Sequence, residues 1–146
     1  MTTKKVSVEE QILSINDQLA AQIRGQLDEA GVFAVNLMDG DVAPVDVEKI
    51  AQTGIPVELI NTGGSCHLDA NMVSLVLPRL NLDEIDLLIV ENVGNLICPA
   101  SFDLGVHANV VIASVPEGDD KPYKYPAMFR GADVLLLNKS DLIAYQ

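Results

Sequence analysis

Cys66 and His67 are adjacent, and Cys98 is the only other cysteine in the chain. Thiolate sulfur and imidazole nitrogen are ligands for borderline divalent metals such as zinc and nickel. Neighbouring Cys and His side chains can face one ion if the backbone turns, and Gly63 and Gly64 just upstream permit that turn. Three donors leave a fourth position for water, another residue or a second subunit. The spacing is not a zinc-finger pattern, and two inert buried cysteines beside a surface histidine fit the same letters. A thiol–disulfide pair is a third reading of the two sulfurs, although the spacing matches no redox motif. His107, the other histidine, stands beside the start of an apolar run and reads as a surface or packing residue.

A second group follows an apolar run near the end of the sequence: Asn138, Lys139, Ser140 and Asp141. Guanine presents two adjacent donors, its ring N–H and its exocyclic amine, which a single carboxylate can accept together. Asp141 would accept that pair, the stem of Lys139 would cover the base face, and Asn138 would tie the loop to its neighbours. A solvated turn after a strand fits the same four letters. Glu91 and Gly94 form a third group, directly after the run IDLLIV. An acid at the end of a buried strand is where nucleotide hydrolases hold magnesium or sense a γ-phosphate, and a glycine there lets backbone approach closely. Asp41, after an apolar run and Gly40, is a similar candidate for metal or phosphate work.

These residues need elements to position them. Ile12, Ile15, Leu19, Ile23 and Leu27 recur at steps of three and four, which predicts an amphipathic helix over 8–29, stopped by Gly31. The pattern then predicts strands at 32–38, 56–60, 85–90, 109–115 and 133–137, with helices at about 45–52 and 68–77. Runs such as IDLLIV and DVLLL are apolar on both faces, which points to parallel strands covered by helices on each side. The expectation is therefore an α/β fold: a mainly parallel sheet of about five strands with flanking helices. In such sheets ligands sit at the carboxyl ends of the strands, and the loops there hold nearly every residue named above.

Composition narrows the field. The 146 residues suffice for one ordinary domain, and 49% hydrophobic against 21% charged residues excludes disorder as the overall description. Aromatic residues are only 4% and tryptophan is absent, so the core must be aliphatic. A net charge of −12 argues against nucleic acid as a partner, because neutralising phosphate requires clustered Lys and Arg, and against an anionic membrane surface for the same reason. MTTKKVSVEEQ carries no apolar run after its lysines, so no secretory signal is expected. No apolar stretch approaches the roughly 20 residues that span a bilayer. Together these imply a cytoplasmic protein with reduced thiols.

Taken together, the blocks NTGGSCHLDANMV, LNLDEIDLLIVENVGNLICPASFDLG, EGDDKPYKYPAMF and ADVLLLNKSDL resemble the hydrogenase nickel-incorporation GTPases, the HypB family. The likeness runs from the first helix to the last residue. It implies a SIMIBI-class P-loop GTPase fold, with residues 1–30 as an N-terminal helical extension and 31–146 as a truncated G-domain. It also implies nickel delivery to nickel–iron hydrogenase, with the hydrogenase large subunit and other maturation factors as partners and a homodimer formed with nucleotide. By the same match Cys66, His67 and Cys98 become nickel or zinc ligands. Glu91 and Gly94 match the Walker-B-like segment, Asn138, Lys139 and Asp141 the guanine-specificity motif, and Asp41 the aspartate that helps hold magnesium.

The departures matter as much. A phosphate-binding loop reads G-x-x-x-x-G-K-[ST], and none of the ten glycines here is followed by lysine. Family members carry that loop, its helix and a further strand between the segments that here meet at Met38 and Asp39. They also continue beyond the guanine motif. The resemblance thus describes a relative with an internal deletion and an early end, in which nickel binding persists and GTP hydrolysis is weakened or lost. A competent GTPase using a different phosphate-binding element and a non-functional gene fragment are the alternatives. Phosphate contacts supply most of the positioning in phosphoryl transfer, so losing the loop should cost GTP affinity on the order of a thousandfold or more. Micromolar GTP binding or GTP turnover by this chain would refute that expectation.

Overall fold

A computed structural model describes residues 7–38, 44–94 and 97–145. The first element is the long helix α1 (Val8–Ala30). Its start is fixed by a reciprocal cap: the Glu10 N–H donates to Ser7 Oγ at 3.1 Å, and the Ser7 N–H donates to Glu10 Oε2 at 2.8 Å. It stops at Gly31, whose left-handed φ of 73° lets the chain reverse. The strands follow: β1 (Phe33–Met38), β2 (Leu87–Glu91), β3 (Ala108–Ser114) and β4 (Val134–Asn138). They form one sheet in the order β2-β1-β3-β4, parallel throughout. The intervening helices are α2 (Pro44–Ala51), α3 (Ala70–Val76), α4 (Lys121–Lys124) and α5 (Pro126–Arg130). The expected α/β class with a parallel sheet is thus the observed architecture.

Two details of the expectation are corrected. The segment 56–60 is not a strand, so the described sheet has four strands. Val57, Leu59 and Ile60 instead line, together with β2, a cavity of about 930 Å³. A strand must pair its backbone with a neighbour about 4.8 Å away, and 56–60 joins no ladder among the described residues. Helices also do not cover both faces of the described sheet. One face packs Ala34 and Val90 under α1 and α3, and Met38 and Val111 under Met128 of α5. On the other, Phe33, Leu87 and Ile89 are about half exposed, and β4 is exposed along its length. Apolar runs signal a demand for burial, but they do not say which element meets it.

The helix is also buried differently from its apolar stripe. Ile12 and Ile15 are exposed, and the buried face carries Asn16, Ala20, Ile23 and Leu27. Asn16 is a polar residue at a core position, and its amide explains the choice. Its Nδ2 donates to the Asp103 carbonyl at 2.8 Å, and its Oδ1 accepts from the Ala70 N–H at 2.9 Å. One side chain therefore joins the start of α3 to the loop that follows β2. One and two turns further on, Ala20 and Ile23 meet the same loop at Gly105, and Arg24 Nε donates to the Gly105 carbonyl at 2.9 Å.

Gly105 has φ +77°, and a Cβ there would lie 2.3 Å from the Ala20 carbonyl oxygen and 2.9 Å from Ile23 Cβ. Both the left-handed backbone and the contact with the helix require glycine. Among the described residues no helix is long and apolar enough to cross a membrane. Two measurements probe this packing. Gly105→Ala must push α1 away from the loop and is expected to lose about 2–4 kcal/mol of unfolding free energy in urea. Asn16→Ala leaves the buried Ala70 N–H and the Asp103 carbonyl without this partner, and is expected to lose roughly 1–3 kcal/mol in the same assay.

Candidate metal centre

Two loops meet at the carboxyl end of β2. The first runs from Asn61 to Asp69. Asn61 Oδ1 accepts from the Gly63 N–H at 2.9 Å, and the Ser65 N–H donates to the Thr62 carbonyl at 3.1 Å. Gly63 and Gly64 have φ of 62° and 91°, so the turn expected of these glycines is present. The loop ends where Asp69 caps α3, accepting from the Met72 N–H at 2.8 Å. The second loop leaves β2 and enters a 3-10 turn over Cys98–Ser101.

A chain of amides fixes the two loops to the sheet. Asn92 Oδ1 accepts from the Leu68 N–H at 3.2 Å and from its neighbour Val93 at 2.8 Å. Asn92 Nδ2 donates to Asn36 Oδ1 at 3.2 Å, and Asn36 Nδ2 donates to Asn109 Oδ1 at 3.0 Å. Asn36 and Asn92 are each only 1% exposed, so their amides must be satisfied inside the protein, and they are. The residue after His67 is thereby tied to β1 and β3.

Cys66, His67 and Cys98 come together at this junction. Their donor atoms lie within 4.8 Å of one another, the one group of this kind among the described residues. Cys66 Sγ lies 2.8 Å from Cys98 Sγ and 3.7 Å from His67 Nδ1. Hydrogen bonding to Cys66, some loss of solvent and the nearby charge of Cys66 push the Cys98 thiol above its ordinary value. Two sulfurs this close resist ionising together, and a divalent cation supplies the charge that lets them. Two thiols and an imidazole, half open to solvent, suit nickel(II) or zinc(II) in both hardness and number. The imidazole of His67 also lies flat on the Phe102 ring, with centroids 4.0 Å apart and planes 11° apart.

The remaining candidate residues lie along the same rim. Glu91 ends β2, and Gly94 follows three residues later. Asn138 ends β4, and its Oδ1 accepts from the Lys139 N–H at 2.8 Å. Lys139 has φ 54°, the one left-handed residue other than glycine among those described. Such backbone strain clusters at functional sites. Asp141 stands exposed in the 3-10 turn Ser140–Tyr145. Asp41 lies outside the described residues. The strand order sets β4 at the far edge of the sheet from β2, so Asn138, Lys139 and Asp141 stand at the opposite end of the rim from the cysteines.

His107 is a packing residue. The Ala34 N–H donates to its Nδ1 at 3.0 Å, its Nε2 contacts Asp28 at 2.9 Å, and its ring stacks on Phe33. Sequence reasoning missed Asn16, Asn36, Asn92 and Phe102. The one available signal was phase: Asn16 and Asn36 interrupt apolar patterns at positions that periodicity turns inward.

Comparison with known proteins agrees with this geometry. Residues 15–146 match the family model described as "CobW/HypB/UreG, nucleotide-binding domain". The hydrogenase maturation factor HypB of Azotobacter vinelandii is 41% identical over 171 aligned positions, covering 98% of this chain and 56% of that protein. The chain thus spans little more than half of that relative's length. The 171 positions exceed the 146 residues of this chain, so the relative has residues opposite which this chain has none. The crystal structure of HypB from Helicobacter pylori in complex with nickel superposes with a TM-score of 0.82 at 32% identity, covering 90% of this chain and 75% of that one. HypB from Archaeoglobus fulgidus gives a TM-score of 0.84 at 38% identity, covering 91% and 78%. By family model, sequence and fold alike, this chain belongs to the HypB branch of the CobW/HypB/UreG family.

Proposed function

We propose that this protein is a nickel-binding accessory factor for nickel insertion during maturation of nickel–iron hydrogenase, with Cys66, His67 and Cys98 as the ligands that carry the ion. The observation that carries this reading is the convergence of those three donors within 4.8 Å, from two loops separated in sequence. The names of the relatives support it: one is a hydrogenase maturation factor, and another was crystallised in complex with nickel. Nickel is cargo in this reading, taken up and passed on, which suits an exposed Cys66 and half-buried His67 and Cys98 better than a closed structural site would. The recipients would be the hydrogenase large subunit and other maturation factors, in a reducing cytoplasm where both thiols stay free. A second copy of the chain is a natural source of a further ligand.

Glu91, Gly94, Asn138, Lys139 and Asp141 are assigned to a nucleotide site on the same rim, with Asp41 as a further magnesium ligand. Asp141 can still read guanine. Triphosphate, however, lacks the lysine and the backbone cradle that a phosphate-binding loop supplies, since no glycine in the chain precedes a lysine. The reading is therefore of a metal carrier whose GTPase chemistry is weakened.

Titration with nickel(II) and zinc(II) tests the metal assignment. Cys66→Ser and Cys98→Ser are each expected to weaken nickel binding at least about tenfold, because a neutral hydroxyl replaces an anionic soft ligand. Equal affinity in the wild type and both variants would sink the proposal.

A further inference from the structure

Phe102 lies four residues after Cys98, on the same loop, yet its ring covers a face of His67 on the other loop. A centroid separation of 4.0 Å with planes only 11° apart is an unusually direct stack, since aromatic pairs more often offset or meet edge to face. The ring does not float. It lines a hollow of about 150 Å³ together with Ile12, Ile15 and Leu19 of α1. Among the described residues His67 has few other constraints. Its Nδ1 makes only long contacts, at 3.5 Å to Ser65 Oγ and 3.7 Å to Cys66 Sγ. The plane of the imidazole is thus set by stacking more than by hydrogen bonding.

We infer that Phe102 is a positioning residue for the metal centre: its ring fixes the plane in which His67 presents its nitrogen and favours the imidazole when that nitrogen donates to a cation. This inference rests on the proposed metal reading. The electrostatics give it a direction. An imidazole that donates its lone pair to a divalent ion becomes electron-poor, and an electron-poor ring is drawn to the negative face of a phenyl group. The stack is therefore worth more in the loaded protein than in the free one, and the difference appears as affinity. The phenyl ring also shields one face of the imidazole from water.

The test is a double-mutant cycle between Phe102 and His67, titrated with nickel(II) alone and followed by thiolate-to-nickel charge-transfer absorption. Phe102→Leu keeps an apolar side chain and removes the π face. It is expected to weaken nickel binding by about tenfold and to change the charge-transfer spectrum, and Phe102→Tyr should restore both. In a His67→Ala background the same Phe102→Leu change should have no effect on nickel affinity. Wild-type affinity in Phe102→Leu, or equal losses in both backgrounds, would overturn the inference. Should the leucine variant fail to fold, Phe102→Met takes its place in the cycle. Nickel binding that Cys66→Ser leaves untouched would mean that the metal reading itself has failed, whereas a Cys66-dependent site indifferent to Phe102 removes only the role of the ring.

Discussion

The side-chain amide of Asn16 is the contact around which the two loops of the candidate metal centre are arranged. It is buried on α1, donates to the carbonyl of Asp103 and accepts from the N–H of Ala70. Cys98 sits on the loop held by the first bond and His67 on the loop held by the second. The helix therefore helps to set the distance between them, together with the Asn92 side chain that accepts from the Leu68 N–H. A donor set built from two separate loops is only as well defined as the frame beneath it, and here that frame includes a helix that contributes no ligand.

The frame continues into the sheet. Asn92, Asn36 and Asn109 pass hydrogen bonds from the Leu68 N–H across β1 to β3, in a region otherwise made of Ala, Val and Leu. Burying amides among aliphatic groups costs free energy unless every donor and acceptor is matched, and a matched chain favours one arrangement over its neighbours. Stability and chemistry are linked in this way: the polar groups that would be expensive to leave unpaired are also those that hold the loop of Cys66 and His67 against the sheet. Exposed donor atoms thus rest on a buried and rigid base. The glycine contact at Gly105 belongs to the same design, since a side chain there would separate the helix from the loop that it spaces.

Much of this was legible from the residues. Alternation of apolar runs with amphipathic stretches gave the parallel α/β architecture, and all four strands fall where the runs predict them. The Cys66, His67 and Cys98 set was readable from ligand chemistry together with the surrounding blocks. The segment 56–60 misled because Val, Leu and Ile signal apolar burial as well as strand, and here they line a cavity beside β2. The coverage of the sheet misled for a related reason: composition shows that Leu87 and Ile89 seek cover without showing what supplies it. Ile12 and Ile15 took the place of the true inward positions because periodicity ranks residues by hydropathy, and Asn16 is polar. Phe102 and Asn16 act through contacts across 35 and 54 residues of chain, to His67 and Ala70, and no local pattern encodes such a distance.

One consequence of the asparagine chain concerns acidity. A carboxamide neither gains nor loses a proton anywhere in the range where proteins stay folded. Carboxylates or histidines in the same places would have made the spacing of the two loops swell and shrink with the medium. Built from amides, these particular links keep their hydrogen bonds whatever the surrounding acidity.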